Sequence, residues 1–279
     1  IIQRTLLKEA IELAIENKIR NVTIPIVTIA PKITPDTEAL KMGIKDRLSV
    51  GHTSFYGSPA NRVHNIKTGT DKFNGTLIAP GEIFSFNKTL GSVTAANGYK
   101  MELVIKPEGT IPEFGGGLCQ VSTTTFRAAL FAGLSIEERH QHTYAVTYYS
   151  QILGHGLDAT IYEGGADLKF KNNTNGYILI QSYVDKDYEL YFVLYGTEDG
   201  RQVTMEGPYI SNSRGAGPTE YIETTELKKG ESKQKERAHA GFDALWYRYL
   251  TMPNGDATKE EIFSRYKAVP AKVLTGTAE

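Results

Sequence analysis

The sequence predicts an α+β fold: a mostly antiparallel sheet packed on one central helix at about 118–132, followed by a small β-rich module. Three observations predict it. Short apolar runs separated by Gly and turn residues recur from 46 to 200. One longer run, LCQVSTTTFRAALFA at 118–132, is charge-poor, of helical length and stopped by Gly133, so it reads as a buried helix. The composition, with 16 Tyr against one Trp and abundant Thr and Gly, leans towards strands.

Taken in order, residues 4–17 read as an amphipathic helix with Leu6, Ala10, Leu13 and Ala14 on one face and Glu9, Glu12 and Glu16 on another. Residues 22–29 (VTIPIVTI) read as a strand, and Pro31 and Pro35 break the pattern. Such a pair buries too little to stand alone, so 1–45 is expected to be the tail of a domain or an arm packed on the rest of the chain. Strand-like runs come next at 76–79, 101–105, 143–149, 177–184 and 188–195, the last two joined by the hairpin loop Asp185-Lys186-Asp187. Residues 201–225 are strand-like around a Gly-rich loop, Ser213–Gly217. A charged stretch (LKKGESKQKER), a turn at Pro253-Asn254-Gly255-Asp256 and a strand at 269–274 complete the module. No repeat of 20–50 residues is evident.

Composition excludes several classes. The 279 residues carry net charge −1, 40% hydrophobic and 23% charged residues, so neither wholesale disorder nor a basic field for nucleic acid or an anionic bilayer is expected. No apolar run reaches the roughly 18 residues of a transmembrane helix. The opening Ile1-Ile2-Gln3 reads as a trimmed start, so a missing targeting segment carries no information. The single cysteine, Cys119, excludes a disulfide framework and a Cys-based zinc site.

That cysteine sits in Phe114-Gly115-Gly116-Gly117-Leu118-Cys119-Gln120-Val121-Ser122-Thr123-Thr124, in the first turn of the central helix. A helix N-terminus offers unpaired N–H groups and a positive dipole end, which stabilise a thiolate. The glycines let a substrate backbone approach, and N–H groups around Gly117–Gln120 can hold an oxyanion. The alternative is a thiol that merely packs as a small hydrophobe.

A thiol nucleophile needs a base. Of six histidines, His140 and His142 come after the helix, and a strand there would put both on one face. His155 lies near Asp158, which can orient a histidine, and the residues alone leave the choice among these histidines open. His-x-His is also a metal pair, but no third ligand sits at suitable spacing, so no metal and no cofactor are expected. Arg62, in Asn61-Arg62-Val63-His64-Asn65-Ile66, and Arg139 are candidates for binding a carboxylate, as a guanidinium does bidentately. A solvated loop fits residues 61–66 equally. Lys67-Thr68-Gly69, Ser85–Lys88 and Ser232–Lys235 copy fragments of the serine penicillin-binding signature in the wrong order and are taken as chance.

The chain resembles the VanW-domain family. The matching pieces are Thr53-Ser54-Phe55, Asn61-Arg62 with Asn65-Ile66, the run from Asn74 to Asn87, Gly98-Tyr99, Gly115 to Thr123, Glu138-Arg139, His142 and Gly156 to Thr160. They cover roughly 48–196. The resemblance implies three regions: 1–45, the tail of a peptidoglycan-binding-like domain; 46–200, the VanW domain; and 201–279, a β-rich G5-like module. It also implies an extracytoplasmic protein, in the cell wall or at the outer face of the cytoplasmic membrane, with any membrane anchor supplied by the full-length protein. The implied activity is that of a cysteine-dependent L,D-transpeptidase forming 3-3 peptidoglycan crosslinks between donor and acceptor stem peptides. The His-Gly-x-Cys signature of the better-known L,D-transpeptidases is absent, and Thr143 stands where the family usually has Ser. The site implied combines Cys119, His142, His140 and Asp158 with Arg62, Gly115, Gly116, Gly117, Gln120 and Arg139 for substrate. The rival readings are a non-catalytic peptidoglycan-binding module and a Cys peptidase or amidase on stem peptides.

Overall fold

A computed structural model of the chain describes residues 4–19, 21–22, 41–106 and 109–279. The chain divides into two compact units, Ile1–Lys41 and Met42–Glu279. In the first, helix α1 spans Arg4–Glu16. Of its expected apolar face, Ala14 is buried while Leu13 is exposed. Apart from Val22, the strand expected at 22–29 lies outside the described residues.

The second unit runs β1 (Asp46–Ser54), α2 (Ala60–Asp71), β2 (Thr76–Ile78), β3 (Ile83–Ser85), α3 (Phe86–Leu90), β4 (Met101–Lys106), β5 (Gly109–Phe114), α4 (Leu118–Phe131), β6 (Ser135–Glu138), α5 (Thr147–Ser150) and β7 (Lys169–Lys171). It continues through β8 (Ile178–Val184), β9 (Glu189–Gly196), β10 (Gln202–Arg214), β11 (Glu220–Lys228), β12 (Ser232–Glu236), β13 (Gly241–Thr251), β14 (Ala257–Tyr266) and β15 (Lys272–Ala278). The fold is α+β and its sheets are mostly antiparallel, the exception being the parallel pair β11–β15.

The principal sheet has the order β1-β9-β8-β2. Its inward residues alternate as a half-buried strand requires: Ser49, Gly51 and Thr53 on β1, Ile178 and Ile180 on β8, and Leu190, Phe192 and Leu194 on β9. Those of β1 and β9 pack on α4, where Leu118 and every residue from Gln120 to Leu130 is buried, and β8 packs on α2. So polar a helix tolerates burial because its hydroxyls are satisfied close by. Thr124 and Thr125 donate to Gln120 O and Val121 O, and Ser122 to Ala159 O. Strand β1 crosses α4 so closely that a Cβ on Gly51 would lie 2.1 Å from Thr124 O. Stacked aromatic rings fill the other side, Phe73 on Phe86 at 4.4 Å and Phe84 on Phe170 at 4.6 Å.

Two expectations need correction. Residues 61–66 lie in α2, not in a loop. Its inner face carries polar Arg62 and Asn65 beside Ile66, which hides the apolar period. Buried Asn65 earns its place by bridging Lys100 O and Gly116 O. Residues 143–149 are not a strand. His140 makes a lone bridge to Thr160, and the chain then leaves the sheet and closes the one-turn helix α5. With no neighbouring strand, Tyr144 and Tyr149 of the run are buried by side-chain packing instead.

The C-terminal sheets are β10-β13-β14 and β11-β15-β12. The first is bolted to the helical core. Trp246 on β13 joins the core cluster, and the buried Arg248 guanidinium donates to Leu130 O and Leu134 O at the end of α4.

Candidate active site

The three glycines are demanded first by the fold. Gly115 (φ +85°) and Gly117 (φ +111°) take left-handed conformations that favour Gly. A Cβ on Gly116 would lie 2.7 Å from Leu103 O on the β4–β5 hairpin. Gly117 ends this turn as the N-cap of α4, without a side-chain cap. The N–H groups of Leu118 and Gln120 are taken by Gly115 O and Gly117 O, whereas that of Cys119 has no backbone acceptor among the described residues. Two N–H groups of the oxyanion set read from the sequence, those of Leu118 and Gln120, are therefore already committed.

Cys119 is half-buried at the head of a groove of about 1050 Å³. Its Sγ lies 3.6 Å from Thr160 Oγ1 and 3.7 Å from Ile161 O. The groove runs between Leu103 and Val104 on one side and Tyr148 and Tyr149 on another, and Lys235 and Arg237 of the C-terminal module border it.

The structure brings Cys119 and His142 to one groove and hydrogen-bonds His142 to Asp158. His142 is 4% exposed and lines the groove with Cys119, where its charge acts on the thiol. Its Nδ1 lies 2.5 Å from Asp158 Oδ2, which also accepts from the His142 backbone N–H at 2.8 Å. The other carboxylate oxygen, Oδ1, accepts from Tyr266 Oη at 2.5 Å and from Arg139 at 3.2 Å. The Tyr149 ring packs 5.0 Å from the imidazole.

Electrostatics follow from this arrangement. Burial disfavours a charged imidazole, but the Asp158 hydrogen bond and charge, with Cys119 behind them, raise His142 from 6.5 to about 9. Burial pushes the Cys119 thiol up, and the hydrogen bond and charge of His142 outweigh it, leaving the thiol below its ordinary 9.0. Burial pushes Asp158 up too, and His142 and Arg139 hold it far below the usual carboxylate range. The shifts of Cys119 and His142 both favour the thiolate–imidazolium form of the pair.

Other residues read from the sequence lie elsewhere. His140 is turned to solvent against Glu138 at 3.1 Å and is not beside the sulfur. Gln120 is fully buried; its side chain donates to Thr53 Oγ1 and Ser54 O and accepts from Arg62 at 2.7 Å, so it serves the scaffold rather than the groove. Arg139 stands behind Asp158, its guanidinium donating to Asp158 O, Gly156 O and Ser264 Oγ, and presents no face to the groove. Arg62 does line the groove, stacked 4.1 Å over the Tyr148 ring. Sequence reasoning missed Tyr266, Tyr149 and Thr160. A tyrosine on a distant strand carries no local signal of its partner.

Residues 61–195 match the family described as VanW like protein. This stretch is a VanW-like domain. It holds Cys119, His142 and Asp158. The chain is 37% identical over 161 residues to the Bacillus subtilis (strain 168) protein named Uncharacterized protein YoaR, covering 58% of this chain and 51% of that one. It is 36% identical over 118 residues to the Vancomycin B-type resistance protein VanW of Enterococcus faecalis (strain ATCC 700802 / V583), covering 41% and 42%. The chain thus matches about half the length, or less, of these relatives. A solved structure of the IgA1 protease G5 domain overlaps 30% of this chain and all of that one, at 16% identity and a TM-score of 0.19. Among the described residues no helix is long and apolar enough to cross a membrane.

Proposed function

We propose that the VanW-like domain is a cysteine-dependent L,D-transpeptidase forming 3-3 crosslinks in peptidoglycan. The observation that carries this reading is the Cys119–His142–Asp158 set at the head of an open groove. The family resemblance supports stem peptides as donor and acceptor, and a site of action outside the cytoplasm, at the cell wall or the outer face of the membrane. In this reading 1–45 is the tail of a peptidoglycan-binding-like domain and 201–279 a G5-like module.

The Cys119 thiolate attacks the carbonyl joining the L-centre of the third stem residue to the terminal D-residue. The oxyanion is held by the free N–H at the start of α4. As the C–N bond breaks, the His142 imidazolium protonates the leaving amine, and a thioester remains. The side-chain amine of a second stem then attacks the thioester. Neutral His142 takes its proton, the C–S bond breaks, and thiolate and imidazolium are restored. Asp158 holds the imidazole with Nε2 towards sulfur and stabilises its charge. Arg62, polarised at the groove wall, binds a stem carboxylate.

Incubation of the purified chain with tetrapeptide muropeptides, read by mass spectrometry, tests this. The expected products are free D-amino acid and a 3-3 dimer, both lost in Cys119→Ala. Tripeptide without dimer makes the domain a hydrolase. Dimer yield unchanged in Cys119→Ala refutes the nucleophile.

A further inference from the structure

The third member of the triad is held from outside the VanW-like domain. Tyr266, the last residue of β14 and 108 positions from Asp158, is 2% exposed, and its Oη donates to Asp158 Oδ1 at 2.5 Å. The tyrosine Oη also accepts from Gly156 N–H at 3.1 Å. Ser264, two residues earlier on the same face, donates to Gly156 O at 2.9 Å and accepts from Arg139 at 2.8 Å. Arg139 is the other donor to Asp158 Oδ1. On the neighbouring strand β13, Trp246 Nε1 donates to His155 O at 2.7 Å. Gly156, at φ +105°, lies so close that a Cβ there would sit 3.0 Å from the Trp246 ring. The loop carrying Asp158 is therefore clamped by one C-terminal sheet at four polar contacts.

We propose that Tyr266 is a positioning residue for the Cys119–His142–Asp158 set, so that the β10-β13-β14 sheet is a working part of the catalytic unit rather than an appended binding module. The proposal rests on the cysteine-nucleophile reading above. A carboxylate has two oxygens, and His142 needs one of them, Oδ2, in a fixed direction. Tyr266 and Arg139 grip the other, and so set the rotation of the carboxylate about its Cβ–Cγ bond. The tyrosine suits the role because burial and the Asp158 charge hold its hydroxyl protonated, a permanent donor. The charged or titratable groups facing Asp158 are His142, Arg139, Arg127, Tyr149, His155 and Tyr266. Of these, Tyr266 alone comes from the C-terminal sheets.

The test is Tyr266→Phe in the full chain, which keeps the ring packed against Phe242 and His155 and removes only the hydroxyl. The first readout is the rate of Cys119 alkylation by iodoacetamide against pH, which needs no peptidoglycan substrate. A looser carboxylate holds the imidazolium less well, so the acid limb of the profile moves to higher pH. The second readout is transpeptidation, where kcat falls about tenfold with KM within twofold, as for a hydrogen bond to a charged group. Trp246→Phe, which removes a clamp contact that does not touch Asp158, is the comparison: it lowers Tm and leaves the acid limb in place. If Tyr266→Phe does not fold, Ser264→Ala, which frees Arg139, is expected to move the limb in the same direction. A limb unmoved in the folded variant overturns the proposal, whatever happens to Tm. A limb that moves in a chain making no 3-3 dimer sustains the positioning role and removes the transpeptidase reading. Dimer formation with an unmoved limb does the reverse.

Discussion

Asp158→Asn separates the charge of the triad from its shape. The carboxylate is 3% exposed and receives donors from the His142 backbone, the His142 ring, Tyr266 and Arg139. Its hydrogen bond leads the effects that lift His142 from 6.5 to about 9 against burial. At 1.36 kcal/mol per unit, that rise is worth about 3 kcal/mol of preference for the imidazolium. The amide removes the charge and leaves the Arg139 guanidinium buried without a counter-ion, a loss of the same order or larger. For a folded unit of this size, about 3 kcal/mol lowers Tm by roughly 6–12 °C.

The sign gives the loss a pH signature. A histidine with a raised pKa contributes stability that is fully present below its unfolded value of 6.5 and is lost as pH rises through about 9. An aspartate with a depressed pKa contributes stability that is present above its unfolded 3.8 and is lost as pH falls through its folded value. The Tm gap between the parent and Asp158→Asn is therefore widest between about pH 4 and 6.5 and narrows towards pH 9–10, where the Arg139 share of it remains. Differential scanning fluorimetry across pH 4–10 measures it, and alkylation of Cys119 reports the thiol returning towards its ordinary 9.0. A gap that stays constant from pH 5 to 10 refutes the ion-pair account of His142.

Two further outcomes are expected. His140→Ala removes a side chain that faces solvent beside Glu138, so dimer yield changes less than twofold, whereas His142→Ala abolishes it; equal losses would return His140 to the site. Gly51→Ala drives a Cβ to within 2.1 Å of Thr124 O and 2.7 Å of Ala128 N, both backbone atoms of α4, and costs about 3 kcal/mol in urea unfolding; an unmoved midpoint would refute the close crossing of β1 over the helix.

How much of this was legible in the sequence depended on whether a residue's partner was local. The central helix, the β8–β9 hairpin and the turn at Pro253–Asp256 were readable because period, stop signal and turn residues act over a few positions. The position of Cys119 at a helix start followed from Gly115–Gly117 alone. Helix α2 was hidden because Arg62 and Asn65 are buried by hydrogen bonds and not by apolar character. The choice between His140 and His142 turned on the chain leaving the sheet after His140, which no residue near it announces. Arg139 looked like a substrate ligand because a guanidinium seeks carboxylates; it found one, Asp158, inside the protein.

Arg248 has a consequence of its own. A helix ends with carbonyls that lack partners, and the end of α4 is too deep for water to reach freely. Arg248 plugs Leu130 O and Leu134 O from the far sheet, with its charge balanced by Glu260. Cutting the chain near residue 200 would thus not release a self-sufficient VanW-like fragment. It would leave a bare apolar scar around the vacated Trp246 seat with the Leu134 carbonyl stripped of its Arg248 donor, a surface prone to sticking to its own copies. Engineering of a minimal version has to repair that scar before any loss of activity is read as chemistry.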